Sequence, residues 1–334
     1  MAEEANNDWT RRSLIQAGIA AASLRAGAAR AQRIARPSIA IRQMNNVMIA
    51  VSDLSRSLAL YQKLFGMPSL QGDVAVFRIG KGPHFFGLTQ TSNGESPGLR
   101  SYCLTVDDFE PGRIADMLSG LGAKKAQITA RGGTPELFVR DPNGIAIQIQ
   151  NLTYGHGSGP RGDILPTAPR EAVAPAFRLR TLNHVTLTVT DGPASQDFYE
   201  TVFGLRVGAR QGPTINLRVG TSPPQSIAFN AAIKNPNGPA EINHACFTIE
   251  NFDPGRVMGV LAENGFEPIE FGNSGSIKPM TCRVRLRQRA AGGGGPTSPL
   301  GTPELYFNDY DNIALQIQDV SYCGGSGWLG QICS

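Results

Sequence analysis

The sequence predicts an α+β fold in which four βαβββ modules are paired into two domains. Residues 182–189 alternate apolar and polar side chains around a central histidine, and residues 44–51 repeat that pattern. Both segments run on into a Tyr-x-x-x-Phe-Gly sequence, and the two copies keep a constant offset of 138 residues. A constant offset across two elements indicates an internal duplication, so we expect the two halves of the chain to have the same fold.

Length and composition agree with a strand-rich protein of two domains. The 334 residues suffice for two cores, and 39 glycines with 23 prolines are typical of many turns. Only 17% of residues are charged, and the net charge of +4 is too small to indicate a nucleic-acid partner. We therefore expect a small-molecule partner rather than a nucleic acid.

Residues 1–31 are typical of an export signal. Arg11 and Arg12 precede an alanine-rich apolar stretch, and the small residues Ala29 and Ala31 flank a candidate cleavage position, which together resemble a twin-arginine signal. The sequence thus predicts the twin-arginine export machinery as a partner and a periplasmic or extracellular location; a disordered basic leader is the alternative. No other segment has the roughly 18 apolar residues of a membrane span. The oligomeric state stays open.

The first domain is predicted over residues 40–151. After the strand at 44–51, a helix is expected from a cap at Ser52 or Asp53 to Gly66, because apolar residues recur at helical spacing. Strands follow at 74–79 and 85–89. The second module has a strand at 101–106, a helix opening at 109–113, and a hairpin around the Asp-Pro-Asn-Gly turn at 141–144.

A Gly- and Pro-rich linker is predicted at 152–177, with His156 as a solvated loop residue, and the second domain at 178–320. The offset between copies grows from 143 residues at Arg256 to 168 at Gln316, which places an insertion at about 272–300. Such a long loop is either a substrate lid or a solvated, mobile insertion.

The five cysteines show no metal-binding spacing. Cys103 and Cys246 are expected to be buried within strands, and Cys282 to lie in the long loop. Residues 321–334 form a Gly-rich tail in which Cys323 and Cys333 could pair in an oxidising compartment.

The repeated modules, with strand openings such as residues 182–189 and hairpins such as 141–148, resemble the vicinal oxygen chelate superfamily of glyoxalases, bleomycin-resistance proteins and extradiol dioxygenases. The resemblance spans residues 44–319. It implies two glyoxalase-like half-barrel domains, each with a concave face that can bind a divalent metal. It also implies metal ligands at His184, at His244 and at Gln316, where the family usually has a glutamate.

The strand pleat supports this ligand set independently. In their strands, His184, His244 and Gln316 all lie on the face opposite the continuous apolar face, which belongs under the helices. Two imidazoles and an oxygen donor suit Fe²⁺ or Mn²⁺, with Zn²⁺ as a further option. A neutral amide in place of a carboxylate should weaken metal binding and leave the metal more Lewis-acidic.

The first domain offers Asn46, Ser101 and Gln148 at the matching positions, so it is predicted to be metal-free. Glu136 and Glu304 recur in both halves, which favours a structural role for this glutamate. His84 is expected at the surface or in a turn.

Three functions remain open from the sequence. The leading hypothesis is an exported, metal-dependent dioxygenase-like enzyme acting on a small oxygen-chelating substrate, with Tyr306 or Tyr310 as the candidate acid–base residue. The second is a glyoxalase-like lyase or isomerase that uses the metal as a Lewis acid. The third is a metal-free protein that binds a small aromatic or drug-like ligand.

Overall fold

The computed structural model describes residues 39–121, 123–159, 161–164, 174–221, 224–270, 277–287 and 301–333. From Ile39 onward the chain forms one compact unit. The predicted export signal lies outside the described residues, as do residues 272–276 and 288–300 of the predicted insertion. No helix in the described part of the chain is long and apolar enough to cross a membrane.

The chain forms four modules, each a strand and a helix followed by further strands. The first module contains β1 Gln43–Val51, α1 Leu54–Phe65, β2 Ser69–Gln71, β3 Val74–Arg78 and β4 Phe85–Gln90. The second contains β5 Gly98–Val106, α2 Pro111–Gly120, β6 Lys124–Arg131, β7 Thr134–Arg140 and β8 Ala146–Asn151. The third contains β9 Leu179–Thr188, α3 Gly192–Val202, β10 Arg206–Gln211, β11 Thr214–Val219 and β12 Gln225–Asn230. The fourth contains β13 Glu241–Ile249, α4 Pro254–Glu263, β14 Glu267–Pro268, β15 Thr281–Arg287, β16 Thr302–Asn308 and β17 Ala314–Asp319.

In each half, the opening strands of its two modules pair antiparallel near the centre of one array. The first array has eight strands in the order β2-β3-β4-β1-β5-β8-β7-β6, and the second has nine in the order β10-β11-β12-β9-β13-β17-β16-β15-β14. The predicted α+β fold of paired βαβββ modules is confirmed. The two arrays also meet directly, since Ile242 of β13 pairs with Leu99 of β5.

Local sequence explains where the helices begin. Asp53, Asp191 and Asp253 each precede a helix, and each side chain accepts a hydrogen bond from a backbone N–H in the first turn. Gly66 ends α1 with a φ of 95°, a conformation that glycine adopts without strain. The predicted cap and end of the first helix are thus confirmed.

The two halves share a single hydrophobic core. Residues from all four helices and from the apolar face of both arrays belong to it. The ring of Phe247 in β13 lies 5.3 Å from that of Phe86 and 6.2 Å from that of Phe65 in the first half. Because the apolar face of each array packs in this core, the opposite, concave face is free to carry polar groups.

The predicted linker and tail contain a second repeat that the sequence analysis missed. Backbone hydrogen bonds join Gly155 to Gly162 and Ser158 to Ile164, and the same bonds recur 168 residues later between Cys323 and Gly330 and between Ser326 and Ile332. We call residues 154–164 and 322–332 the closing loops. The first residues of the predicted linker thus pair with one another through their backbone, and the side chains of Asn45 and Thr134 bind the carbonyl oxygens of Tyr154 and Gly159.

Two of the three sequence-based expectations about single residues in loops need correction. His156 is 5% exposed rather than solvated, because it packs against the rings of Phe85 and Tyr154 in the first closing loop. His84 is 8% exposed and so does not lie at the surface, while the alternative of a turn position fits, because it directly follows the turn at 80–83. Cys282 is buried in β15, where its neighbours are paired to β16, and not in a loop.

The other cysteine predictions are confirmed. Cys103 and Cys246 are buried in strands, and Cys323 forms a disulfide with Cys333 across the second closing loop. The predicted insertion at 272–300 covers fewer residues than expected. Residues 281–287 form β15, which pairs with β16 as β6 pairs with β7 in the first half, so they are not inserted.

Candidate metal centre

Three strands bring the predicted ligands together on the concave face of the second half. His184 lies on β9 and Gln316 on β17, and both are opposite Cys246 of the intervening β13. The Nε2 of His184 is 3.1 Å from the Oε1 of Gln316, and the rings of His184 and His244 are 5.5 Å apart. All three side chains are buried, with exposures of 4%, 7% and 1% for His184, His244 and Gln316.

An asparagine orients each imidazole. The Oδ1 of Asn183 is 2.8 Å from the Nδ1 of His184, and the Oδ1 of Asn243 is 2.8 Å from the Nδ1 of His244. The Nδ2 of Asn183 donates to two carbonyl oxygens, those of Pro224 and Tyr322, which fixes its Oδ1 towards the histidine. Each Nδ1 therefore carries the proton, and each Nε2 presents a lone pair to the interior.

The sequence analysis missed these two asparagines. The signal was present, because the dipeptide Asn-His opens both strands at 183–184 and 243–244. Strand alternation places a side chain directly before a ligand on the other face of a regular strand, so the periodicity did not predict these contacts. The register shift of β13 between Ile242 and His244 shows that these strands are locally irregular.

Several polar atoms at the centre of the site lack a complementary hydrogen-bond partner among the described residues. The Nε2 of His184 and the Oε1 of Gln316 are both acceptors in this arrangement, yet they face each other at hydrogen-bond distance. The Nε2 of His244 and the Nε2 of Gln316 are buried without a partner among the described residues. Buried polar atoms are nearly always satisfied, so this arrangement fits a cation at the lone pairs of the two imidazoles and the amide.

The protonation state also suits metal binding. Burial lowers the pKa of His184 to about 4, and it lowers the pKa of His244 well below its usual value. Both rings are then neutral near pH 7, which is the form that ligates metals. Among the described residues, no three His, Cys, Asp or Glu side chains form a metal-binding group, so a metal here would have two imidazoles and one amide oxygen. Their role as ligands stays a prediction.

Of the two tyrosines predicted as acid–base residues, the structure brings only Tyr306 to the site. Its ring lies 5.2 Å from that of His244 in an edge-to-face contact, and its hydroxyl donates to Glu304. Burial raises the pKa of Tyr306 well above its usual value, so its hydroxyl stays protonated. Tyr310 instead packs against the helix-side core, with the guanidinium of Arg56 4.7 Å from its ring.

Glu304 lies beneath the two histidines and holds the aromatic rings around them. It is 1% exposed and accepts hydrogen bonds from the hydroxyls of Tyr306 and Tyr322 and from the Nε of Arg287 at 2.8 Å. The ring of Tyr322, which belongs to the second closing loop, lies 5.7 Å from that of His184. The glutamate thus holds the two aromatic rings that flank the two histidines.

The interiors of the two halves have diverged. Phe85 is opposite Asn46 in the first half, and Ser226 is opposite His184 at the equivalent position in the second. The first interior is filled by an apolar cluster that consists of Val74, Val76, Phe85, Tyr154 and part of Met48. The second has Thr214, Asn216, Ser226, Tyr322 and Thr186 at the equivalent positions. Only the second half therefore combines imidazoles with a polar interior.

Comparison with known proteins supports the fold and the family. The sequence model of the Glyoxalase/Bleomycin resistance protein/Dioxygenase superfamily matches residues 43–149 and 181–270. No curated protein matches this sequence.

Several solved structures are similar in fold. The Mn(II)-bound glyoxalase from Novosphingobium aromaticivorans has a TM-score of 0.56 at 15% identity, covering 83% of this chain and 82% of that chain. A catechol 2,3-dioxygenase has a TM-score of 0.56 at 15% identity, covering 83% of this chain and 92% of that chain. Homoprotocatechuate 2,3-dioxygenase from Brevibacterium fuscum, in complex with 3,4-dihydroxyphenylacetate, has a TM-score of 0.56 at 18% identity, covering 85% and 83%.

Proposed function

Since the chain belongs to the glyoxalase/bleomycin resistance protein/dioxygenase superfamily, we propose that it is a metal-dependent, dioxygenase-like enzyme acting on a small oxygen-chelating, aromatic substrate. His184, His244 and Gln316 would hold a divalent metal, either Fe²⁺ or Mn²⁺, with Zn²⁺ as the further option. The observation that carries this proposal is the 3.1 Å approach of two acceptor atoms, His184 Nε2 and Gln316 Oε1, next to the Nε2 of His244, which has no hydrogen-bond partner in the described part of the chain.

The contacts of the described residues support a role for each group. Asn183 and Asn243 hold the imidazoles in the tautomer that presents Nε2, and Gln316 supplies a neutral oxygen. A divalent metal held by the two histidines and Gln316 would act as a Lewis acid towards the substrate oxygens and lower their pKa values. Tyr306 would be the acid–base residue, because it contacts His244 and its hydroxyl is linked to the carboxylate of Glu304.

Oxygen uptake tests the reaction class. Protein reconstituted separately with each of the three metals is mixed with catechol in an oxygen electrode. We expect uptake with Fe²⁺ or Mn²⁺, its loss in His244→Ala, and its retention in Gln148→Ala, which changes the equivalent face of the first half.

A glyoxalase-like reaction is the second candidate, since one of the similar structures is a glyoxalase. Isomerisation of the hemithioacetal of methylglyoxal and glutathione, without oxygen uptake, would replace the dioxygenase proposal by this one. Binding of catechol that is independent of metal and of His244 would instead favour a metal-free binding protein.

We also propose that the protein is exported by the twin-arginine machinery to the periplasm or beyond. The paired Arg11 and Arg12 support this, as does the disulfide between Cys323 and Cys333, a bond that persists in oxidising compartments. Changing both arginines to lysine should retain the protein in the cytoplasm, as measured by cell fractionation. Unchanged export would contradict this proposal.

A further inference from the structure

A groove runs along the boundary between the two halves, where β5 and β13 meet. Its cavity has a volume of about 900 Å³ and is lined by both halves, with Arg100 and Arg140 on the first side and Asn243 and Arg283 on the second. His184, His244 and Gln316 do not line it. Asn243 hydrogen-bonds His244, however, so the groove reaches the residues that orient the proposed metal site.

Arg283 is the unusual residue of this groove. It is only 9% exposed, its Nη1 donates to Asn308 at 2.7 Å, and its Nε is buried without a partner among the described residues. No ion pair joins it to a described carboxylate. Burying a guanidinium without a carboxylate is costly, so an anionic partner that enters the groove would be favourable for Arg283.

The carboxylates that also line the groove do not neutralise Arg283. Glu95 is 3.3 Å from Arg100, and Asp311 is 3.5 Å from Arg56. The third, Glu241, is exposed at the start of β13. Arg283 therefore lines the groove without a described carboxylate that neutralises its charge.

The position of Arg283 connects this groove to the proposed metal site. Its guanidinium carbon lies 5.3 Å from the centre of the Tyr306 ring, which in turn lies 5.2 Å from the His244 ring. The ring of Tyr306 therefore lies between Arg283 and His244. If the chelating oxygens of a molecule reach the metal site, the opposite end of that molecule can approach Arg283.

The duplication provides an internal comparison. Arg283 on β15 is opposite Tyr306 on β16, and the equivalent pair in the first half is Gln127 opposite Phe138. Gln127 is neutral and exposed. The arginine and the tyrosine thus occur together in the half that carries both histidines.

We propose that Arg283 binds an anionic group of the substrate, so that the enzyme prefers oxygen-chelating aromatic compounds that carry a carboxylate. This inference rests on the proposed function, since it places the rest of the substrate at His184, His244 and Gln316. Arginine suits this role because its planar donors match the two oxygens of a carboxylate.

Binding of matched ligands tests the inference. Metal-loaded protein is titrated calorimetrically with catechols that carry a carboxylate directly on the ring, or through one or two methylene groups, each against its methyl ester. At least one acid should bind roughly tenfold to a hundredfold more tightly than its ester, the range expected for charge-assisted hydrogen bonds. Arg283→Gln should abolish that preference while leaving ester affinity unchanged, and Arg283→Lys should keep part of it.

Arg140→Gln is the matched control, because Arg140 lines the same groove with an exposed side chain. It should keep the preference. Equal binding of every acid and its ester by the unmodified protein, or a preference that survives Arg283→Gln, would overturn the inference and leave the proposed function standing. If the metal-loaded protein bound neither acids nor esters, the inference and the proposed function would both fail.

Discussion

The hydroxyl of Tyr61 in α1 donates a hydrogen bond to the carboxylate of Asp309 in the other half of the chain, at 3.0 Å. The relation is reciprocal, because Tyr199 in α3 donates to Asp141 at 3.1 Å. These are the tyrosines of the duplicated Tyr-x-x-x-Phe-Gly sequence and the aspartates that open the final hairpins. Each half thus supplies a helix whose tyrosine is satisfied by the other half.

Loss of one such hydroxyl should destabilise the whole protein. Tyr61→Phe leaves a buried carboxylate oxygen of Asp309 without its donor, which costs about 1–3 kcal/mol of unfolding free energy. Chemical denaturation followed by circular dichroism measures this. Tyr310→Phe is the control and should cost less than about 0.5 kcal/mol, because the Tyr310 side chain packs against Arg56 and is only partly buried. An equal effect of both substitutions would contradict the account.

Asp309 should also make stability depend on pH. Burial raises its pKa to about 6, above the value of 3.8 in an unfolded chain. Since the folded state holds the proton more tightly, stability from this group is fully present below pH 3.8 and is lost as pH rises through 6. A shift of about two pKa units corresponds to roughly 3 kcal/mol.

Asp309→Asn isolates this effect from other titrating groups. The amide keeps an acceptor for the backbone N–H groups of Asp311 and Ile313, which Asp309 Oδ1 binds in the protein. Relative to the variant, the unmodified protein should lose stability between pH 4 and 6 in urea denaturation. If the difference in unfolding free energy between the two proteins stays constant over this range, or if the unmodified protein gains stability instead, the raised pKa of Asp309 is refuted.

The disulfide should hold the second closing loop against the proposed metal site. Replacing Cys323 and Cys333 by serine should speed hydrogen exchange at the amides of Gly325 and Ser326, which pair across that loop. The equivalent amides of Gly157 and Ser158 in the first closing loop carry the same pairing without a disulfide between described residues, so they should exchange at their original rates. Unchanged protection in both loops would show that the disulfide is dispensable for the loop.

The arginine–glutamate ion pair should contribute more to stability in the second half than in the first. Arg287→Met leaves Glu304, whose side chain is 2% exposed, without its cation, and should cost about 3 kcal/mol of unfolding free energy. Arg131→Met removes the partner of Glu136 in the first half, but this arginine is 47% exposed and 3.6 Å away, so the cost should stay below about 1 kcal/mol. Comparable costs in urea denaturation would argue against a special role for the buried pair.

Much of the fold and of the candidate site could be predicted because both depend on repeated local patterns. The duplicated offset located the modules, and the alternation of side chains along β9, β13 and β17 placed His184, His244 and Gln316 on one face. The structure brings these three together.

Other features were missed because tertiary contacts decide them. His156 is buried only because the closing loop folds back onto Phe85, which no local pattern in a Gly-rich segment indicates. The strand β15 alternates arginines with Cys282, Val284 and Leu286, a period of two that was readable. It was overlooked because strands normally place charges towards solvent, whereas Arg283 and Arg287 face the interior of the half-barrel.

The central claim is that the second half binds a divalent metal through His184, His244 and Gln316. The most direct test is the metal content of protein purified after reconstitution with Fe²⁺, Mn²⁺ or Zn²⁺, measured by plasma mass spectrometry. We expect about one ion per chain in the unmodified protein, loss of most of it in His184→Ala, and full retention in Asn46→Ala, the equivalent position of the first half. No bound metal in the unmodified protein, or undiminished metal in His184→Ala, would contradict the account.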